Sequence, residues 1–400
     1  MDSSFSSPMQ IHSSIPKHIL PVIVFSQFAG TSLWFAGNAV VPELIEELNL
    51  LEMFVGFITM AIQSGFILGT LVFALLSIAD RFSPVKVFLA CAIAGAFCNW
   101  LTIFSSNFTE VMFARLFTGF FLAGIYPVGM KIASDWHKDG LGKALGYLVG
   151  ALVLGTAFPH FLKYLGDDLP WRYVITGTSI LSVLGGLILA LTIKDGPYRQ
   201  QKGAFKPSMV FTIFKNKNFR SAAFGYFGHM WELYTFWAFV PTLLAFYLIK
   251  NPNTFLNISL WSFIIIAIGG ISCVVGGYFS IKIGSKKVAL YSLLLSGLCC
   301  LFIPFLFFVP SWIFLLLLLI WGISVIPDSP QFSTLVAQSC DSSYIATGLT
   351  IVNCIGFAIT IVSIQLINLM WAEFHNPMVF LVILIGPLFG IFSISGFKTS

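Results

Sequence analysis

Apolar residues run along this chain in blocks of about 18 to 25, separated by short polar breaks, and a helix of that length crosses the roughly 30 Å of hydrocarbon in a bilayer. Twelve blocks are predicted, near 19–41, 53–78, 86–105, 108–131, 143–163, 171–193, 220–248, 259–281, 287–309, 311–336, 343–370 and 377–397, numbered spans 1 to 12. Residues 1–18 are polar and Ser-rich. The block after Lys17 and His18 is too long for the core of a cleaved signal peptide and leads directly into further spans, so it reads as the first membrane helix. The pattern predicts an all-α integral membrane protein of twelve transmembrane helices.

Composition agrees. The 400 residues are 58% hydrophobic and 9% charged, with 43 phenylalanines and a mean hydropathy of +0.92, which no soluble domain of this size shows. Seven cysteines, at 91, 98, 273, 299, 300, 340 and 354, lie in or at the ends of apolar spans without paired loop spacing, and read as small core residues. No nucleophile triad, phosphate loop or His/Glu cluster at metal-site spacing appears, so no enzyme, cofactor or metal is expected.

Charge reports topology. Of 21 basic residues, 17 fall on the side shared by the two termini: Lys17, Arg81, Lys86, Lys131, Lys138, Lys143, seven from Lys194 to Arg220, Lys282, Lys286, Lys287 and Lys398. The positive-inside rule makes that side the cytoplasm. The opposite loops hold Lys163, Arg172 and Lys250 and are otherwise acidic, as in "PELIEELNLLE" (42–52). The basic stretch "YRQQKGAFKPSMVFTIFKNKNF" (198–219) is accordingly a cytoplasmic linker, and no nucleic-acid partner is expected.

That linker divides the spans six and six, and the halves align at an offset of about 200: Arg81 with Lys282, Pro127 with Pro327, Pro42 with Pro241, Gly146 with Gly348. Duplication of this kind is the architecture of many secondary transporters. The expected units are an N-terminal six-helix bundle (1–193), a linker (194–219) and a C-terminal six-helix bundle (220–400).

Here the chain resembles the major facilitator superfamily over essentially its whole length. That family's loop signature, Gly-x-x-x-Asp-Arg/Lys-x-Gly-x-Arg/Lys-Arg/Lys, is matched between spans 8 and 9 by Gly277, Lys282, Gly284, Lys286 and Lys287, with Ile281 in place of the acid. Between spans 2 and 3 it is matched by Asp80, Arg81 and Lys86, with Leu76 and Ser83 at the glycine positions. An arginine early in span 4 followed by a glycine appears in "RLFTG" (115–119). The resemblance implies two pseudo-symmetric six-helix bundles, a multi-pass location in the bacterial inner membrane with both termini cytoplasmic, a monomer in the lipid bilayer, and a small-molecule substrate moved by alternating access. It also implies a gating role for the loop charges Asp80, Arg81, Lys86, Lys282, Lys286 and Lys287, which latch the cytoplasmic ends of the halves in one conformation.

In this fold spans 1, 4, 7 and 10 line the central cavity, and those spans carry the polar residues. Ionisable groups at membrane depth are costly and mark function. In "GHMWELY" (228–234) His229 and Glu232 share a helix face, and an imidazole beside a carboxylate at membrane depth makes the pair a proton-coupling candidate. Asp328, between Pro327 and Pro330, is the other; two prolines so close break the helix ladder. Substrate-binding candidates are Arg115, Tyr126 and Lys131 on span 4, Trp34 and Asn38 on span 1, Tyr226 and Trp237 on span 7, and Gln331 on span 10. Gln63, Asn99 and Asn353 read as inter-helix hydrogen-bond glue.

Subfamily signatures mostly subtract. Spans 2 and 8 lack the arginine of nitrate porters, "KDGPYRQ" (194–200) differs from the sugar-porter run, and "GYLVGALVLG" (146–155) has Ala151 where drug and proton antiporters carry proline. The reading is proton-coupled uptake of a small polar or anionic compound, a carboxylate or metal-chelating carboxylate included, with Arg115 and Lys131 as the anion-binding charges. The alternatives are proton-driven efflux of amphipathic or cationic compounds and, remotely, a non-transporting receptor or membrane enzyme.

Overall fold

Helices form wherever the apolar blocks predict them, because in hydrocarbon a backbone must satisfy its own hydrogen bonds. The structure, a computed structural model, describes residues 15–51, 53–137, 141–166, 169–199, 207–341 and 344–398. Residues 1–14 lie outside them, as do Lys138 and the linker stretch 200–206 that the charge argument used. Among the described residues there is no strand, and eleven helices are long and apolar enough to cross a membrane. They are spans 2 to 12: Phe54–Leu75, Pro84–Phe104, Phe108–Trp136, Lys143–Leu165, Arg172–Thr192, Lys217–Lys250, Ile258–Ile283, Ser285–Phe305, Ser311–Gln338, Ile345–Phe374 and Pro377–Ser395.

Span 1 departs from the expected unbroken helix over 19–41. Its α-helix covers only Ile19–Thr31, about 20 Å of rise, and gives way to turns and a short 3-10 segment, Asn38–Val40. The stretch "PELIEEL", expected as loop, is a further helix, Val41–Leu48, with Pro42 in its first turn where no backbone donor is needed. Within the first helix the Thr31 and Ser32 hydroxyls turn back onto the carbonyls of Gln27 (2.7 Å) and Ala29 (2.7 Å), which weakens the ladder where it ends.

Spans 4 and 10 are broken too, at positions that correspond across the repeat. Span 4 is an α-helix over Phe108–Leu122 that restarts as Tyr126–Trp136 with Pro127 in its first turn; span 10 is Ser311–Ser324 and restarts as Asp328–Gln338 after Pro327. Span 7 stays one α-helix over Lys217–Lys250 despite Pro241. Three of the four spans expected to line the centre are therefore interrupted.

Spans 5 and 8 form one seam between the halves and spans 2 and 11 the other. The side on which span 1 starts and span 12 ends is called the terminal side, and its opposite the far side. Spans 5 and 8 touch along their length: Lys143 lies over the Tyr278 ring (5.9 Å) at the terminal side, Gly150 and Gly270 meet backbone to backbone mid-way, and Phe161 packs on Phe263 (4.8 Å) at the far side. A Cβ on either glycine would come within 3.0 Å of the other's carbonyl oxygen, so only glycine permits that approach. Spans 2 and 11 touch at the far side, where Asn368 donates to the Met53 carbonyl (2.8 Å), and in the middle, where Phe66 meets Phe357 (4.5 Å). Towards the terminal side they part around a 160 Å³ cavity lined by Thr70, Ser77, Asp80, Lys131, Thr347 and Thr350 among others.

The degenerate loop signature has a backbone explanation. Gly284 ends span 8 and starts span 9 at φ +86°, a region closed to other residues. Its counterpart Ser83 sits at φ −57° and caps span 3 by accepting from the Lys86 amide (3.3 Å), so the first loop has no need of glycine.

Candidate functional site

The buried ionisable side chains are sorted by which helix they face. His229 and Glu232, one turn apart on span 7, point to different partners. His229 faces span 10: its Nδ1 lies 2.9 Å from Asp328 Oδ1, with the two side chains 0% and 2% exposed. The break in span 10 puts Asp328 in the first turn of a restarted helix, where a carboxylate is favoured. Glu232 turns into the C-terminal bundle and accepts from Trp321 Nε1 (2.6 Å), Ser296 Oγ (2.9 Å) and Cys300 Sγ (3.4 Å). Trp321 is further fixed by stacking on Phe236 (4.2 Å). The span 10 break is thus bracketed by two contacts to span 7, Trp321 to Glu232 before it and Asp328 to His229 after it.

Arg115 is fully buried and donates to the carbonyls of Leu33 and Trp34, at 2.8 Å each, and to Asn99 Oδ1. Those carbonyls are the ones that the break in span 1 leaves without helix partners. Asn99 in turn donates to the Ile175 carbonyl (3.1 Å), Thr178 (3.2 Å) and Ser179 (2.9 Å), so spans 1, 3, 4 and 6 share one polar network. Both terminal nitrogens of the guanidinium are spent on protein acceptors, and Nε is buried without one.

Lys131 lies 2.8 Å from Asp80 and 3.8 Å from Asp135, within the N-terminal half. Asp80 faces the terminal-side cavity with the first turns of span 11 across it. Arg81 and Lys86 are exposed, as are Lys282 and Lys287, while Lys286 donates to the Phe397 carbonyl (2.6 Å) at the end of span 12. A strap that no sequence pattern announced holds the first loop from outside: Asp195 accepts from Ser83 (2.7 Å) and pairs with Arg199 (2.9 Å), which donates to the carbonyls of Asp80 (3.1 Å) and Phe82 (2.7 Å).

The neutral candidates have separate partners. Asn38 donates to Thr59 (2.6 Å), Tyr226 donates to Asn353 Oδ1 (2.9 Å), and Gln331 is buried one turn on from Asp328. Tyr126 is half-buried at the restart of span 4, within electrostatic reach of Tyr226 and Tyr234. Trp34, carried inward by the break in span 1, stacks on Tyr234 (5.8 Å) and Phe357 (5.7 Å) and meets Phe66 (4.7 Å); Phe35 lies edge-on to Trp237 (6.3 Å). Ser296, Cys300 and Trp321 around Glu232 were missed from sequence. Residues in spans 9 and 10 carry no local signal of which span 7 side chain they will meet.

Comparison with known proteins fits this arrangement. A search of curated protein sequences gave no significant match. The fold is that of the nucleoside transporter NupG, solved as a point mutant, at a TM-score of 0.74 and 15% identity, covering 95% of this chain and 100% of that one. It is also that of a bacterial homolog of the human lysosomal transporter Spinster, solved inward-facing and unoccupied, at a TM-score of 0.65 and 15% identity, covering 95% and 94%. The family model of the Major Facilitator Superfamily matches residues 23–364, most of the chain. With twelve apolar spans, broken cavity-facing helices and that match, the chain belongs to the Major Facilitator Superfamily and is a membrane transporter, not an enzyme.

Proposed function

We propose that this transporter moves a small polar solute inward by alternating access and that a proton exchanged at the His229–Asp328 pair drives the cycle. The observation that carries the reading is the position of the pair: a buried contact at 2.9 Å between unbroken span 7 and the terminal-side half of broken span 10. Removing one partner of a buried ion pair costs about 3 to 5 kcal/mol, whereas about 5.5 kcal/mol turns a two-state population from 1:99 to 99:1. A proton on Asp328 therefore changes the equilibrium by a useful amount, and the break lets the half-helix move. Glu232, walled in by Ser296, Cys300 and Trp321, is proposed as the staple that holds the other half in place. The further titratable groups around the pair are Tyr226, Cys273 and Glu232 itself. Uptake rather than efflux rests on span 5, where Ala151 replaces the antiporter proline. The lysine and arginine excess on the terminal side supports a cytoplasmic location for it.

The test needs no substrate. A cysteine introduced at Thr350, in the terminal-side cavity, is followed by thiol labelling in a background without the native cysteines, between about pH 5 and 8. Labelling should change with pH in this parent, become pH-independent in Asp328→Asn, and keep its pH dependence in Glu232→Gln. Persistence of the pH dependence in Asp328→Asn would refute the assignment.

A further inference from the structure

Charge accounting at the centre narrows the substrate, on the premise that the chain carries a polar solute through the seam between its halves. Each buried acidic group has a basic or hydrogen-bonding partner, and the buried guanidinium is matched at both terminal nitrogens, its Nε alone making no hydrogen bond. Arg115 is spent on the Leu33 and Trp34 carbonyls and Asn99, Asp135 lies beside Lys131, Glu232 accepts three donors, and Asp328 faces His229. A charged solute that used a carboxylate or either terminal nitrogen of Arg115 would need to displace one of these partners, at the cost of a buried unpaired charge.

Three neutral side chains on the seam are in a different condition. Trp34 Nε1, Trp237 Nε1 and both amide atoms of Gln63 are buried and make no hydrogen bond to protein. Such groups are expensive and call for an explanation. All three lie on the seam. Trp34 and Trp237 belong to an aromatic cluster drawn from both halves: Trp34, Phe35 and Phe66 from one, Tyr234, Trp237 and Phe357 from the other. Gln63 lies on the helical stripe by which span 2 faces span 11. One turn before it Met60 contacts Gln365, two turns before it Gly56 lies against Asn368, and two turns after it Thr70 lines the terminal-side cavity. Phe66, one turn after Gln63, reaches Trp34 at 4.7 Å.

We infer that the solute recognised at this seam is uncharged and carries a flat ring with hydrogen-bonding edges, stacked among Trp34, Tyr234 and Phe357 and bonded at its edge by the Gln63 amide and the two indole N–H groups. The rings supply faces, since aromatic groups pair by offset stacking. The amide supplies an acceptor oxygen and an NH2 with two donors, and the indoles donate only. An aliphatic polyol would use the edge groups and waste the faces. A flat cation would gain from the faces, but the carboxylates that would neutralise it are occupied.

Thermal unfolding of the purified full-length protein tests the class, because a ligand of the folded state raises the midpoint with its concentration. The probes are uridine and nicotinamide (uncharged, flat, hydrogen-bonding), benzoate (a flat anion), benzyltrimethylammonium (a flat cation) and myo-inositol (uncharged, without a flat face). Uridine or nicotinamide should raise the midpoint, the other three should not, and Gln63→Leu should weaken the effective probe by about tenfold, one lost hydrogen bond. Stabilisation by benzoate, benzyltrimethylammonium or myo-inositol alone, or by none of the five, overturns the inference. So does an unchanged affinity in a Gln63→Leu protein that remains as stable as its parent. No pH gradient enters this measurement, so its failure leaves the proton assignment standing, and failure of the Asp328→Asn labelling test leaves the substrate class standing.

Discussion

Replacing Arg115 by methionine separates two uses of a buried guanidinium. The side chain donates to two carbonyls exposed by the break in span 1 and to Asn99. Hydrogen bonds between membrane helices are worth about 0.6 kcal/mol on average and about 1.7 at most, so losing three costs about 2 to 5 kcal/mol. The upper part of that range is expected, because methionine leaves the Leu33 and Trp34 carbonyls buried without donors. Arg115→Lys should recover only part of the loss, since one ammonium cannot reproduce the planar fork. The assay is equilibrium unfolding of the purified protein in mixed micelles on addition of denaturing detergent, parent beside both variants. A methionine variant that matches the parent in stability but loses binding of the solute would show that the guanidinium is held for an anion and that the reasoning is wrong.

Other outcomes follow from local geometry. Gly284→Ala forces a left-handed backbone on an L residue and should cost about 1 to 2 kcal/mol, while Gly277→Ala, inside a helix with open space around it and no positive φ, should stabilise by about 0.4 to 1 kcal/mol; thermal midpoints of the two compare directly. Glu47, on the far-side helix Val41–Leu48, is held below its ordinary 4.5 by the Trp171 N–H (2.7 Å) and by Arg172, so its contribution to stability is present above pH 4.5 and drains away as pH falls below it through the lowered folded value. Glu47→Gln should remove that acid-dependent part of the midpoint, and parallel acid profiles for parent and variant would disprove it. Asp80→Asn should change the rate of exchange between conformations with little change in equilibrium ligand affinity, because Asp80 pairs with Lys131 at the loop; a loss of affinity would place it in the binding site instead. Cysteines placed in 194–199 and in 42–51 should react with impermeant thiol reagents from opposite faces of intact cells, the former only after the membrane is opened.

What the sequence by itself determined is what depends on neighbours within about one helical turn. Hydropathy located the twelve spans, since a run of apolar residues needs no distant partner to prefer hydrocarbon. Pro327 and Pro330 marked the interruption of span 10, whereas Pro127 served only to align the repeat and the restart of span 4 beside it was not expected; Gly284, read as part of the loop signature, sits at a turn that its counterpart Ser83 makes by another route. The charge partners were beyond it. The i, i+3 spacing of His229 and Glu232 put them on adjoining positions of one face, but the rotation of span 7 against spans 9 and 10 sends one to Asp328 and the other to Trp321 and Ser296. The break in span 1 was invisible for the same reason: what receives its loose carbonyls is Arg115, a residue of another span. Helix periodicity fixes which side chains share a face, whereas the depth and rotation at which each helix packs are set by the whole bundle, through close approaches such as Gly150 on Gly270. Only the tertiary structure, therefore, decided which buried charges were already matched and which neutral groups were left facing the seam.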